Sequence, residues 1–249
     1  MTAREPGMII IDRSVHTLLA HWRRVIFVDW HGVLSRDPFW MSILDGNHPL
    51  KSRLEANLAQ IFSRDVPTAH EWMRGQLSSA EIISAMDIKL GRHYRDDFLQ
   101  RRLDVDCRRM RVNVELFEIL RVLRARALIV IATDNMDCFA RAFDCVRSRA
   151  RRSPETALTL TDWAIFCDDI VCSSDVGRLK SEDPDGFFGP WLSAHGLSFA
   201  DALLIDDRAD NCEVFARRGG YAVQWKMGTN QISEVTKAVE RWMDVPTGS

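Results

Sequence analysis

Three apolar, β-branched runs in this sequence each end in a residue type that can do chemistry. Asp29 follows Val25-Ile26-Phe27-Val28, Thr133 follows the run from Ala127 to Ala132, and Asp206-Asp207 follow Ala202-Leu203-Leu204 and Ile205. Lys180 lies between the last two. A lone carboxylate after a strand reads first as a helix N-cap or a turn residue. Three polar strand ends in one chain, with a lysine among them, point instead to a ligand site. Open α/β sheets bind their ligands beyond the carboxyl ends of the strands.

The elements that must position these residues follow from periodicity. Short buried strands alternate with helical spacing over 112–124, 136–148, 185–195, 209–218 and 231–243, the pattern of an α/β fold with a parallel sheet. Tyr221-Ala222-Val223-Gln224-Trp225 adds a further short strand after Gly219-Gly220. Between the first and second strands the pattern changes. Residues 38–110 contain no such runs and predict amphipathic helices over 52–62, 68–75, 79–90 and 94–103, with Ser78 or Ser79 as an N-cap ahead of Glu81. This block reads as an insertion. Leu18, Leu19 and Trp22 predict an extra helix over 13–24.

Composition bounds the answer. The 249 residues are 46% hydrophobic and 27% charged, as in a soluble globular protein, and suffice for a full core. Lys+Arg (33) nearly balance Asp+Glu (35), so whole-chain charge does not predict a nucleic-acid binder. No apolar run approaches the length of about 18 residues that marks a membrane span. The first residues lack a basic region followed by a long apolar stretch, so neither a signal peptide nor an anchor is expected, and the cytoplasm is the expected location. Cys107, Cys138, Cys145, Cys167, Cys172 and Cys212 lack metal-type spacing and read as reduced, buried thiols.

Taken with their neighbours, the strand ends resemble the haloacid-dehalogenase-like superfamily. The matching pieces are Val25-Ile26-Phe27-Val28-Asp29-Trp30-His31-Gly32-Val33-Leu34, then Ile131-Ala132-Thr133-Asp134-Asn135. Asp169 to Lys180 follows, and Leu204-Ile205-Asp206-Asp207-Arg208-Ala209-Asp210-Asn211 comes last. Each is weak alone; together, in this order, they are specific. Trp72 to Ser78 also looks like the small helical cap of some relatives. The resemblance implies a Rossmann-like parallel core, 1–36 and 111–249, with helices on both faces and a helical cap inserted at 37–110.

It also implies a phosphatase acting on a small phosphorylated molecule in two steps. Asp29 would attack phosphorus and form an aspartyl phosphate, dividing one hard displacement into two. A carboxylate facing a phosphate needs its repulsion cancelled, which implies Mg²⁺ on hard oxygen ligands. Those ligands would be the Asp29 carboxylate, the backbone carbonyl of His31 and Asp207, with Asp206 close behind. Thr133, Asp134 and Asn135, by hydroxyl and backbone N–H groups, would hold phosphate oxygens, and Lys180 would neutralise charge. Asn211 reads equally as a support of the metal loop or as a helix-start residue.

One position departs from the pattern. Phosphatases of this family carry a second Asp two residues after the nucleophile to protonate the leaving group; here it is His31. Imidazole can serve as acid or base. Beside Mg²⁺ and Lys180 its pKa should fall below the usual value of about 6.5. A neutral ring can activate water but is a poor acid, so acyl or aryl phosphates are expected to be favoured over sugar phosphates. The departure also admits a catalytically weak binding or regulatory protein. Relatives that cleave carbon–halogen bonds lack the second Asp as well, but carry an aromatic residue there and use no metal. The Asp206-Asp207 pair argues for phosphate.

Asp37, Trp40, His48 and Trp72 fall in or near the insertion, where substrate choice is made, although Trp at helical spacing reads first as core packing. His48, before Pro49, reads as a loop residue rather than a ligand. Two basic clusters, Arg101-Arg102 with Arg108-Arg109-Arg111 and Arg147-Arg149 with Arg151-Arg152, read as solvated faces or as docking sites for an acidic protein partner. Neither interleaves aromatics as a nucleic-acid platform would.

Overall fold

A computed structural model of the chain describes residues 24–63, 66–150 and 166–244. Its strands are β1 (Val25–Val28), β2 (Leu128–Thr133), β3 (Asp169–Cys172), β4 (Ala202–Asp206) and β5 (Tyr221–Gln224). They form one parallel sheet in the order β3-β2-β1-β4-β5. Between β1 and β2 come α1 (Met41–Leu44), α2 (Lys51–Ile61), α3 (Thr68–Met73), α4 (Ser79–Ala85), α5 (Phe98–Arg108) and α6 (Val114–Leu123). Helix α7 (Asp137–Ala150) follows β2, and α8 (Ser173–Val176) with α9 (Pro184–Ala194) follow β3. Helix α10 (Ala209–Arg217) follows β4, and α11 (Ile232–Met243) follows β5. The architecture is an α/β, Rossmann-like fold.

Strands β1, β2 and β4 are buried along their whole length, because helices cover both faces of the sheet. Alternation along β1 divides the core. Val25 and Phe27 pack with Phe188, Leu192 and Phe215 of α9 and α10. Ile26 and Val28 join a larger cluster with Leu116, Phe139, Phe143 and Val239. That second cluster runs on into the inserted helices through Leu54, Trp72, Ile82 and Leu103. Trp40 and Trp72 are wholly buried there, which is the packing role expected for them. Their indole N–H groups find acceptors, the carbonyl of Leu99 at 2.8 Å and Asp137 at 3.0 Å. The inserted segment closes on itself, with Asn113 N donating to the Leu34 carbonyl at 2.8 Å and Arg111 paired with Asp37 at 2.6 Å. His48 sits in a loop, its ring against Phe98 and its Nδ1 accepting from Leu50 N.

Several boundaries differ from the sequence expectation. The helix expected over 94–103 starts at Phe98 and extends to Arg108, because Tyr94 N closes a turn on Gly91. The helix expected over 79–90 stops at Ala85, where Asp87 takes a left-handed φ of 44°. Gly75 (φ 66°) follows the early end of α3. Neither α1 nor the edge strand β3 was expected from periodicity; each is only 4 residues long. Residues 13–23 of the expected N-terminal helix, and Arg151 and Arg152 of the second basic cluster, lie outside the described residues. So do the side chains of Arg147 and Arg149. Among the described residues no helix is long and apolar enough to cross a membrane.

Asp137 fastens the inserted helices to the sheet. At the start of α7 it accepts hydrogen bonds from the Trp72 indole, from the Ser79 backbone N–H and hydroxyl, and from Arg141. Burial by itself raises its pKa, but the bonds from Ser79, Trp72 and Arg141 outweigh burial and hold it below the usual carboxylate range. A carboxyl depressed in the folded state adds stability above its unfolded pKa, and that stability is lost as pH falls through the folded value. Asp137→Ala, which strands the buried Trp72 N–H, is expected to cost about 1–3 kcal/mol at neutral pH and less in acid. Urea unfolding of both proteins at pH 7 and near pH 3 checks this; an equal deficit at both pH values would contradict it.

Candidate functional site

Sheet order brings the reactive strand ends together. Val28 of the central strand is in register with Ile131 and Ile205, so Asp29 falls level with Asp206 and one residue short of Thr133. Lys180 reaches the same point from the segment after α8. Its Nζ lies 3.1 Å from Asp29, 2.5 Å from Asp206 and 3.1 Å from the Ala132 carbonyl, so all three ammonium protons have acceptors. Its backbone N–H donates to Asp134 at 3.0 Å, stitching its loop to the end of β2. Burial pulls the Lys180 pKa down, but Asp206, Asp29 and Asp134 outweigh burial and raise it above the usual value, which holds the ammonium charged.

The carboxylates are not equivalent. Asp206 is fully buried and saturated: Oδ1 accepts from Arg208 N and Asn211 Nδ2, and Oδ2 from Lys180 and Asn211. Asn211 thus supports the loop through Asp206. On Asp29 both donors, Trp30 N at 2.8 Å and Lys180 at 3.1 Å, meet Oδ1, which leaves Oδ2 to face a ligand. Burial pushes the Asp29 pKa up to about 7, against the pull of Lys180. Asp207 is half-buried, and burial and Asp206 raise its pKa too.

The residues fit a divalent cation. Ligand atoms of Asp29, Asp206 and Asp207 lie within 4.8 Å of one another, and with Asp134 these carboxylates share one buried cation, Lys180, while the exposed Lys226 and Arg208 act on Asp207 and Asp134. Such an excess of buried negative charge favours a further cation. Gly32 makes the convergence possible. It has a φ of 86°, and a Cβ built there would lie 2.4 Å from the Asp207 carboxylate. An orphaned buried atom fits an oxyanion beside it: Thr133 Oγ1 has no hydrogen-bond partner among the described residues.

His31 stands one step back from this group. Asn135 donates to it from Nδ2, 3.3 Å from His31 Nδ1, and the amide's orientation is set because Met136 N donates to Asn135 Oδ1. With Nδ1 accepting, the ring proton belongs on Nε2, which is 3.2 Å from the Asp37 carbonyl. Both ring nitrogens are therefore engaged within the protein. Burial lowers the His31 pKa to about 4, against the opposite pull of Asp37. The direction matches the sequence expectation; burial is the leading cause, and Lys180 is not among the causes.

Asp29, Thr133, Asp134, Lys180, Asp206 and Asp207 are thus brought together, with His31 and Asn135 paired beside them. Sequence reasoning missed Ser173, whose hydroxyl accepts from Asn135 N at 2.8 Å and donates to the Met73 carbonyl at 2.7 Å. Nothing in its residue type or spacing marks that role. It also missed the clearance role of Gly32, for which the glycine three residues after Asp29 is the available signal.

No protein-family model and no curated protein sequence matches the chain. Solved structures do. A predicted HAD-like family hydrolase from Porphyromonas gingivalis is similar over 87% of this chain and 97% of its own, at 17% identity and a TM-score of 0.60. The HAD family enzyme BT-2542 from Bacteroides thetaiotaomicron, in complex with magnesium and inorganic phosphate, covers 84% and 98% at 15% identity, with a TM-score of 0.55. An L-2-haloacid dehalogenase from Xanthobacter autotrophicus covers 88% and 82% at 11% identity, with a TM-score of 0.54. The parallel sheet that gathers Asp29, Thr133, Lys180 and Asp206 is accordingly the haloacid-dehalogenase-like fold.

Proposed function

We propose that the chain is a Mg²⁺-dependent hydrolase of small phosphorylated molecules, with Asp29 as the nucleophile. The observation that carries this reading is the convergence of Asp29 and Asp207 beside a lysine already saturated by Asp29, Asp206 and the Ala132 carbonyl. A site for a neutral or carbon–halogen substrate has no need of the second loop carboxylate. The magnesium and phosphate in the BT-2542 complex support the same reading; the dehalogenase neighbour shows why fold alone does not carry it.

Asp29, Asp207 and the His31 backbone carbonyl would hold the ion, with Asp206 behind them fixing Lys180. Bound there, Mg²⁺ would offset the charge of carboxylate and phosphate. Asp29 Oδ2 attacks phosphorus; the P–O bond to the leaving group breaks, and that group departs with the electron pair. Water then attacks the aspartyl phosphate at phosphorus, inorganic phosphate forms, and the Asp29 carboxylate is regenerated. Lys180 neutralises charge through both steps, and the Thr133 hydroxyl donates to a phosphoryl oxygen. The helices between residues 37 and 110 serve as the cap that excludes water.

One observation favours a second reading, a binding or regulatory protein of low turnover. With Nδ1 accepting from Asn135, the single ring proton of His31 sits on Nε2 and is committed to the Asp37 carbonyl rather than to a leaving group.

Two measurements separate and test these readings. With p-nitrophenyl phosphate, turnover is expected to require Mg²⁺ and to fall by about four orders of magnitude in Asp29→Asn. Turnover no higher than that of the variant would overturn the general-phosphatase reading and favour the binder. Gly32→Ala drives a methyl group into Asp207, so Mg²⁺ is expected to raise the melting temperature of wild type and not that of the variant. At 100 times the dissociation constant the wild-type gain is about 2.7 kcal/mol. Equal stabilisation of both proteins would remove Asp207 from the metal site.

A further inference from the structure

We propose that the substrate is a phosphate ester with an apolar, aryl-type body, seated in the cavity between the nucleophile loop and the inserted helices; this rests on the hydrolase reading above. The cavity has a volume of about 400 Å³, a size that takes a small organic molecule. Its floor is His31, Asp134 and Asn135, the residues directly beyond the strand ends that carry Asp29 and Thr133. Asp29 itself does not line the cavity; its phosphoryl group would sit next to this floor, with the leaving group extending into the space.

The chemistry of the walls selects the body. Phe39, Leu58, Phe62, Met73 and Met136 supply them, and among the described residues no lysine or arginine lines the cavity. A second phosphate or a carboxylate would find no counter-charge among these walls, which disfavours bisphosphates and nucleoside polyphosphates. A sugar would fare little better. On the floor His31 is engaged with Asn135 and the Asp37 carbonyl, Asn135 Oδ1 with Met136 N, and Asp134 Oδ1 with Lys180 N, which leaves Asp134 Oδ2 and one Asn135 N–H to meet a guest. The several hydroxyl groups of a sugar would lose more water contacts than these two groups restore. An aromatic ring loses nothing of the kind. Phe39 already lies edge-on to the His31 ring at 5.3 Å, and the thioethers of Met73 and Met136 adapt to a planar guest. Phe62 is 43% exposed, unusual for a phenyl ring, and a guest at the mouth would cover it.

The same geometry reconciles the body with the missing acid. An aryloxide departs without a proton, so a His31 whose one ring proton is held by the Asp37 carbonyl is no obstacle to an aryl ester.

The test uses the full chain with Mg²⁺ and compares phenyl phosphate with 2-naphthyl phosphate, whose leaving groups are similarly acidic but differ in apolar area, and with glycerol phosphate. In parallel, binding of 2-naphthylmethylphosphonate and methylphosphonate is measured by calorimetry. The naphthyl compound is expected to be favoured about tenfold in kcat/KM and in affinity, and glycerol phosphate to be the poorest substrate. In Phe62→Asp the naphthyl advantage should shrink to near unity; Met73→Gln is a second variant should the first fold poorly by circular dichroism. Turnover of the small esters with no naphthyl preference, or a preference unchanged in both variants, would overturn the apolar-body proposal. Tight naphthyl phosphonate binding lost in Phe62→Asp, without hydrolysis of any ester, would uphold the apolar site and overturn the hydrolase reading instead.

Discussion

The structure turns on one buried ammonium. Lys180 Nζ sits wholly out of solvent between Asp29 and Asp206, and without it those carboxylates could not share one sheet end. Withdrawing charges from water costs several kcal/mol per ion, and removing one partner of such a group costs about 3–5 kcal/mol. The surroundings are built to meet that cost. The Ala132 carbonyl takes the third ammonium proton, Asn211 and Arg208 N occupy the remaining lone pairs of Asp206, and Trp30 N joins Lys180 on Asp29 Oδ1. Ala132, Arg208 and Trp30 stand at or just beyond strand ends, and Asn211 in the first turn of α10. The parallel sheet, with β1 between β2 and β4, is what sets them side by side.

This dependence explains which parts of the molecule were legible in the sequence. Asp29, Thr133 and Asp206 follow runs that are buried on both faces, and such runs declare themselves as unbroken apolar stretches. Strand β3 does not, because it is an edge of four residues that begins with Asp169 and is only half-buried over its first half. The inserted helices were legible as helices but not in their limits. Those limits depend on local turns, such as Gly91 to Tyr94 and the left-handed Asp87, that carry little periodic signal. Lys180 is a different case. Nothing in its flanking pattern predicts burial, and only the order of the surrounding motifs marks it.

His31 shows the limit most clearly. Its residue type suggests an acid or base, and its place two residues after Asp29 suggests which proton it would move. Its actual condition depends on Asn135, 104 residues away in the chain, and on the Asp37 carbonyl. Asn135 is in turn held by Ser173 and by its own bond from Met136 N. Tautomer and charge are therefore properties of a network assembled by the fold, and no local spacing encodes them.

That network also links the site to the helices above it. The Ser173 hydroxyl that accepts from Asn135 N donates to the Met73 carbonyl of α3, and Met73 is a wall of the apolar cavity. Asp37, whose carbonyl faces His31 Nε2, is clamped by Arg111 where the inserted segment returns to the core. The imidazole is thus held at both nitrogens by elements that the inserted helices position. His31 is a fixed strut between the loop after β1 and the segment at Asp37. A strut of this kind holds the cavity floor in place. Under the proposed hydrolase reading, the apolar walls and the doubly engaged imidazole make the same demand on a substrate: a body that seeks few hydrogen bonds and a leaving oxygen that needs no proton.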